Sequence, residues 1–147
     1  MAEEINPSVS ISESDTPKQH TAGKPQPHSH FVVEIVSVSD IPYIEPKVKS
    51  DAYVQAFLAI PSKDESGGRA QKFGNLVRTP VRYACAAAVW NSFRNFNTDP
   101  PPDSILTVEL YHFYKDPHKS DCLLGKVDVP VKVLIDDEAV SIPLINF

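Results

Sequence analysis

Residues 52–58 alternate strictly: Ala52, Val54, Ala56 and Leu58 are separated by Tyr53, Gln55 and Phe57. Side chains of an extended backbone point to opposite faces in turn, so the small and aliphatic set shares one face. Asp51, Tyr53, Gln55 and Phe57 share the other. A charged loop ending in Lys49-Ser50-Asp51 runs straight into this strand, and Pro61 stops it. The rest of the chain reads as a sandwich assembled around this loop-to-strand junction.

The flanking segments follow the same period. In residues 31–38 the alternation puts Phe31, Val33 and Ile35 inward, and Ser39-Asp40-Ile41-Pro42 ends that strand. Residues 62–74, with Gly67-Gly68, read as a long polar hairpin loop. Residues 76–82 place Val77, Thr79 and Val81 on one face and Arg78 and Arg82 on the other, with Pro80 requiring an edge position or a bulge. The alanine-rich residues 83–89 read as one helical turn or a buried loop, and residues 90–96 as a strand with Phe93 in the core. Pro100-Pro101-Pro102 makes residues 97–104 a turn that no helix crosses. Leu106, Val108 and Leu110 point inward from the longest strand, residues 105–114. A polar loop follows, then a strand over 122–129 with Val127 and Val129, a connector, and a closing strand over 139–145. The expected class is all-β, an antiparallel eight-stranded sandwich over residues 31–147.

Residues 1–30 have a different composition. Four of the chain's 14 prolines, many Ser and Thr, and no hydrophobic period after Ile11 mark a disordered tail. Ser12, Ser14 and Thr16-Pro17 are candidate phosphorylation positions there, and His28 and His30 are two ligands short of a metal site. Cys85 and Cys122 form no CxxC or Cys/His motif and read as two reduced thiols of an intracellular protein. Net charge of −5 gives no pull toward nucleic acid. No apolar run approaches the ~20 residues that span a bilayer. The N-terminal residues lack a secretory pattern, and Met1-Ala2 lacks the glycine of a myristoylation site. The expectation is a cytoplasmic monomer whose membrane contact, if any, is peripheral.

Five landmarks in order resemble the C2 domain family: Ser39-Asp40-Ile41-Pro42, Ser50-Asp51-Ala52-Tyr53-Val54, Val89-Trp90-Asn91-Ser92-Phe93, Leu106-Thr107-Val108-Glu109-Leu110 and Asp121-Cys122-Leu123-Leu124-Gly125. The resemblance covers about residues 31–145. A first strand at Phe31 and a last one ending at Ile145 look like the circularly permuted topology called type II. The family implies a non-enzymatic β-sandwich that docks on phospholipid or protein. Its calcium-binding members hold the ion on aspartates of two loops at one end. Here the matching positions give Asp51 and Glu45 in the first loop, but His112 and Tyr114 just past Leu110, with Asp121 later and Asp116 displaced. Calcium takes 6–8 oxygen ligands. Glu45, Asp51 and Asp121 would leave it under-coordinated, so no metal or other cofactor is expected; Asp51 is expected to cap backbone amides. The alternative is a calcium-dependent phospholipid-binding C2 domain.

Residues 66–98 contain no Asp or Glu but hold Arg69, Lys72, Arg78, Arg82 and Arg94; with −5 overall, the remainder carries −10. By the resemblance, this stretch includes the strand of the family's lipid-headgroup groove. On its neighbour, Gln55 and Phe57 stand where lipid-binding members carry lysines. Two partners stay open: an anionic phospholipid surface drawn to the basic residues, and a protein recognising a mixed patch of Gln55, Phe57, Arg78 and Arg82. A small hydrolase using His112, Asp116 and His118 lacks any nucleophile motif.

Overall fold

A computed structural model describes residues 8–13, 31–62, 70–134 and 140–143. The strands among them are β1 (Ser8–Glu13), β2 (Val32–Ser39), β3 (Ser50–Ile60), β4 (Gln71–Arg78), β5 (Arg82–Cys85), β6 (Ala88–Asn95), β7 (Ile105–His112), β8 (Cys122–Pro130) and β9 (Val140–Pro143). They build two antiparallel sheets, β6-β2-β1-β9 and β4-β3-β7-β8, with β5 also on β3. Because β4 and β5 occupy successive lengths of one edge of β3, each sheet is four positions wide. No helix among the described residues is long and apolar enough to cross a membrane.

The core lies between the inner faces. Ala52, Val54, Ala56 and Leu58 of β3 and Leu106, Val108 and Leu110 of β7 are buried, as their alternation requires, against Val33, Ile35 and Val38 of β2. Fully burying one such aliphatic side chain contributes roughly 1.5–3 kcal/mol. The inward set of β2 shifts from odd to even numbers because Val36 is an extra residue against β1, where Ser10 pairs with Ser37 but Ile11 with Ile35.

Several expectations need correction. Ser8–Glu13 is a strand, not part of a disordered tail: it pairs with both β2 and β9, and Val9 and Ile11 are fully buried. Two apolar residues among serines give a short period that only the flanking strands make stable. The other residues of the expected tail, including Ser14, Thr16, His28 and His30, lie outside those described. The type II expectation rested on a first strand at Phe31. Since β1 precedes β2 and fills the place between it and β9, the chain is not permuted in that way. Residues 83–89 are no helical turn: Arg82–Cys85 continues the edge, and the chain reverses through Ala86 and Ala87 into β6. Nor is Phe93 in the core, being 54% exposed, while Ala88, Trp90 and Phe96 occupy the inward register.

The edge made by β4 and β5 positions the candidate site. Pro80 lacks an N–H, so the ladder breaks there. Thr79 bridges the gap: its N–H donates to the Val54 carbonyl and its Oγ1 accepts from the Val54 N–H, both at 2.9 Å. Further along, residues 74–76 of β4 stand against Phe57 alone. Gly74 takes φ +69° in this bulge, where a Cβ would lie 2.8 Å from the Phe96 carbonyl oxygen.

Candidate functional site

The outer face of the five-stranded sheet carries cross-strand rows. Antiparallel register aligns Arg78 of β4, Gln55 of β3, Glu109 of β7 and Lys126 of β8. Arg78 Nη2 donates to Gln55 Oε1 at 2.7 Å, and Gln55 Nε2 donates to Glu109 Oε1 at 3.3 Å. In the next row Phe57 faces Thr107, whose hydroxyl donates to Asp128 at 2.8 Å. The Lys72 ammonium sits 4.1 Å from the Phe57 ring centroid, within cation–π range. Phe57, Lys72, Thr107, Glu109, Lys126 and Asp128 help line a groove of about 380 Å³.

A third row packs around Tyr53. Tyr53 points outward by parity yet is only 3% exposed. Its ring stacks on Tyr111 at 5.5 Å and lies under the Arg78 guanidinium at 5.0 Å. Its hydroxyl donates to Asp121 Oδ2 at 2.6 Å. Burial first, and then the Asp121 bond, push the phenol well above its ordinary value; burial first, and then Glu109, raise Tyr111. Around these rows stand three cations, Lys72, Arg78 and Lys126, and three carboxylates, Glu109, Asp121 and Asp128, so the face is electrically mixed and balanced.

The basic residues read from the sequence separate in space. Lys72 and Arg78 join Gln55 and Phe57 on the outer face. Arg82 does not: it pairs in register with the inward-facing Ala52 and turns to the β6 edge, donating through Nε to the Val89 carbonyl at 3.3 Å. Arg94 is half-buried on β6 and donates to the carbonyls of Arg78 at 3.1 Å and Phe93 at 3.0 Å. Arg69 lies outside the described residues. The break at Thr79-Pro80 is what puts Arg78 and Arg82 on different surfaces. Glu109, Lys126, Thr107 and Asp128 were not singled out. Their outward parity against Leu106, Val108 and Val127 is legible, but the adjacency of β3 and β7 is a tertiary fact.

At the end of the sandwich where calcium ligands would gather, the side chains already hold one another. Asp51 Oδ1 accepts from the Ala84 N–H at 2.8 Å, and the Asp51 N–H donates to His112 Nδ1 at 3.0 Å. Asp121 accepts from Tyr53 and, through Oδ1, from the Tyr114 N–H at 3.1 Å. Asp116 accepts from the His118 N–H at 2.9 Å. His112 is buried with Tyr114 edge-on at 4.5 Å. Glu45 is exposed across a shallow depression from Asp51. No group of three or more His, Cys, Asp or Glu among the described residues is arranged to hold a metal ion. Cys85 on β5 and Cys122 on β8 are free thiols with β3 and β7 between them, beyond the ~7 Å Cα reach of a disulfide. Burial is the first cause raising the Cys85 thiol.

A family model described as C2 domain matches residues 29–143. The chain is similar to the crystal structure of the RIM C2A domain from Drosophila, with TM-score 0.67 and 15% identity over 95% of this chain and 98% of that one. It is also similar to the RIM2 C2A domain, with TM-score 0.62 and 17% identity over 94% and 96%. The third C2 domain of the KIAA1228 protein matches with TM-score 0.63 and 20% identity over 96% and 88%. At these identities the likeness is one of fold. No curated protein matches the chain.

Proposed function

The chain belongs to the C2 domain family, and on that premise we propose that it is a non-catalytic docking module that engages a protein partner without calcium, through the outer face of the β4-β3-β7-β8 sheet. The observation that carries this reading is the row Arg78–Gln55–Glu109–Lys126 beside Phe57 and Lys72. A lipid-headgroup groove needs an excess of cations, because each Lys or Arg near an anionic leaflet contributes only about 1 kcal/mol. Here each cation has a carboxylate on the same face, which cancels that attraction. Alternating signs around an aromatic side chain suit a protein surface with its own pattern of charge, where aromatic and Arg anchors concentrate binding energy.

Two features support calcium independence. Asp51 and Asp121 direct carboxylate oxygens at Ala84, Tyr53 and Tyr114, and the two positions past Leu110 offer an imidazole and a phenol. A hard cation binding 6–8 oxygens would find scattered carboxylates already engaged by the protein and no carboxylate at His112 or Tyr114, so the residues present do not fit it. Such a module works in the cytoplasm, as a monomer, where its partner places it.

Vesicle co-sedimentation tests the choice of partner. Phosphatidylserine vesicles with added phosphoinositide are mixed with wild type and with the Lys72→Glu/Arg78→Glu variant, with and without calcium. The protein is expected in the supernatant throughout. Sedimentation of wild type, lost in the variant, would establish the lipid reading, and sedimentation only with calcium would restore the metal site.

A further inference from the structure

The part of the acid-free stretch that does not reach the outer face lies along one rim of the sandwich. Here the edge formed by β4 and β5 meets the edge strand β6, and side chains sew the two together. Arg94 Nε reaches the Arg78 carbonyl at 3.1 Å, Arg82 Nε the Val89 carbonyl at 3.3 Å, and Trp90 Nε1 the Pro80 carbonyl at 2.8 Å. Beside these bonds stand Val89 and Phe93 of β6, 57% and 54% exposed, whose own carbonyls the arginines engage. β4, β5 and β6 contribute no carboxylate. By register two carboxylates neighbour them: Asp51 on β3, whose Oδ1 is engaged by the Ala84 N–H at 2.8 Å, and Glu34, half-buried on β2 opposite Phe93.

We infer that this rim is a second docking surface, for an acidic protein segment that carries apolar or aromatic anchors. Arginine has five N–H donors; the bonds above use two on Arg94 and one on Arg82. The rest remain on guanidiniums that backbone carbonyls hold in place. Fixed, planar forks suit carboxylates, and pinning them beforehand removes part of the ordering cost of binding. Exposed Val89 and Phe93 supply apolar anchoring sites beside them. The same bonds occupy the Val89 and Phe93 carbonyls, so a partner that simply added a strand to β6 would have to displace both arginines. Recognition is therefore by side chains. Two guanidiniums are too few for an anionic leaflet, whose electrostatic capture takes clusters of about four to eight basic residues.

The test uses the full chain and a fluorescein-labelled probe peptide in which glutamates alternate with phenylalanine and leucine, with its glutamine counterpart as control. Fluorescence anisotropy should show the acidic peptide binding about tenfold or more tighter than the control, the loss expected when one anchor of an interface is removed. Arg82→Gln and Phe93→Ser should each weaken it by a similar factor, whereas Phe57→Ser on the outer face should not. Phe93 is exposed and outside the core, so Phe93→Ser stays informative if an arginine variant unfolds; circular dichroism melts check each fold. No binding, equal binding of the glutamine peptide, or indifference to both rim substitutions would overturn the inference. So would capture by phosphatidylserine vesicles that Phe93→Ser abolishes, which would make the rim a membrane contact.

Discussion

Replacing Thr79 by valine probes the break that separates the outer face from the rim. Thr79 is 4% exposed and valine has nearly its shape, so the substitution leaves packing intact and removes one oxygen. That oxygen accepts the Val54 N–H at 2.9 Å, in the centre of β3. The Pro80 carbonyl is already taken by Trp90 Nε1 at 2.8 Å, and water cannot reach Val54, which is fully buried. An unsatisfied buried donor costs about 1–3 kcal/mol. For a domain of this size the melting temperature should fall by about 3–10 °C. Thr79→Ser keeps the acceptor and loses one methyl, so it should cost about 1 kcal/mol or less. Urea denaturation of the three proteins, compared at equal m-value, gives the order wild type, serine, valine. A valine variant as stable as wild type, or a serine variant less stable than valine, would refute the argument that this hydroxyl replaces a missing ladder bond.

Other consequences are independent of that one. Ile11→Ala should destabilise the domain by about 2–4 kcal/mol in the same assay, because Ile11 is fully buried between the sheets; a loss below about 0.5 kcal/mol would return residues 8–13 to the tail. The phenols of Tyr53 and Tyr111 titrate above their ordinary value of 10.0 in the folded protein, and at that value when unfolded. Their contribution is thus complete below pH 10 and is lost as pH rises through the folded values; tyrosinate absorbance should show both ionising late, and Tyr53→Phe should soften the alkaline loss of stability. Thiol titration should find both Cys85 and Cys122 free, the raised Cys85 reacting slowly until the chain is denatured; an intramolecular disulfide would contradict the strand order.

What was legible in the sequence was what alternation encodes. The inward sets of β3 and β7 follow from period two alone, and the edge position of residues 76–82 follows from Pro80. Phe93 was misassigned because β6 offers aromatic residues on both parities, and only packing decides that Trp90 and Phe96 face inward. β1 was missed because Ser-Val-Ser-Ile-Ser is too short to stand out from a serine-rich stretch. Of the site, Gln55, Phe57 and Arg78 were legible as outward residues of neighbouring strands. Arg82 was misplaced because the Thr79-Pro80 break reverses its side, and the balancing carboxylates Glu109 and Asp128 were invisible until β7 and β8 stood beside β3. Charge read along the chain gave a basic stretch, whereas folding divides it between a neutral face and a rim.

The central claim, calcium-free docking through the outer face, is tested most directly by quantitative affinity capture from cell extract. Immobilised wild type and the Phe57→Ser/Arg78→Glu variant are compared in calcium chelator and in calcium. The account predicts a partner retained by wild type in chelator and lost from the variant. A partner that binds only when calcium is present, or that the variant retains unchanged, would contradict it.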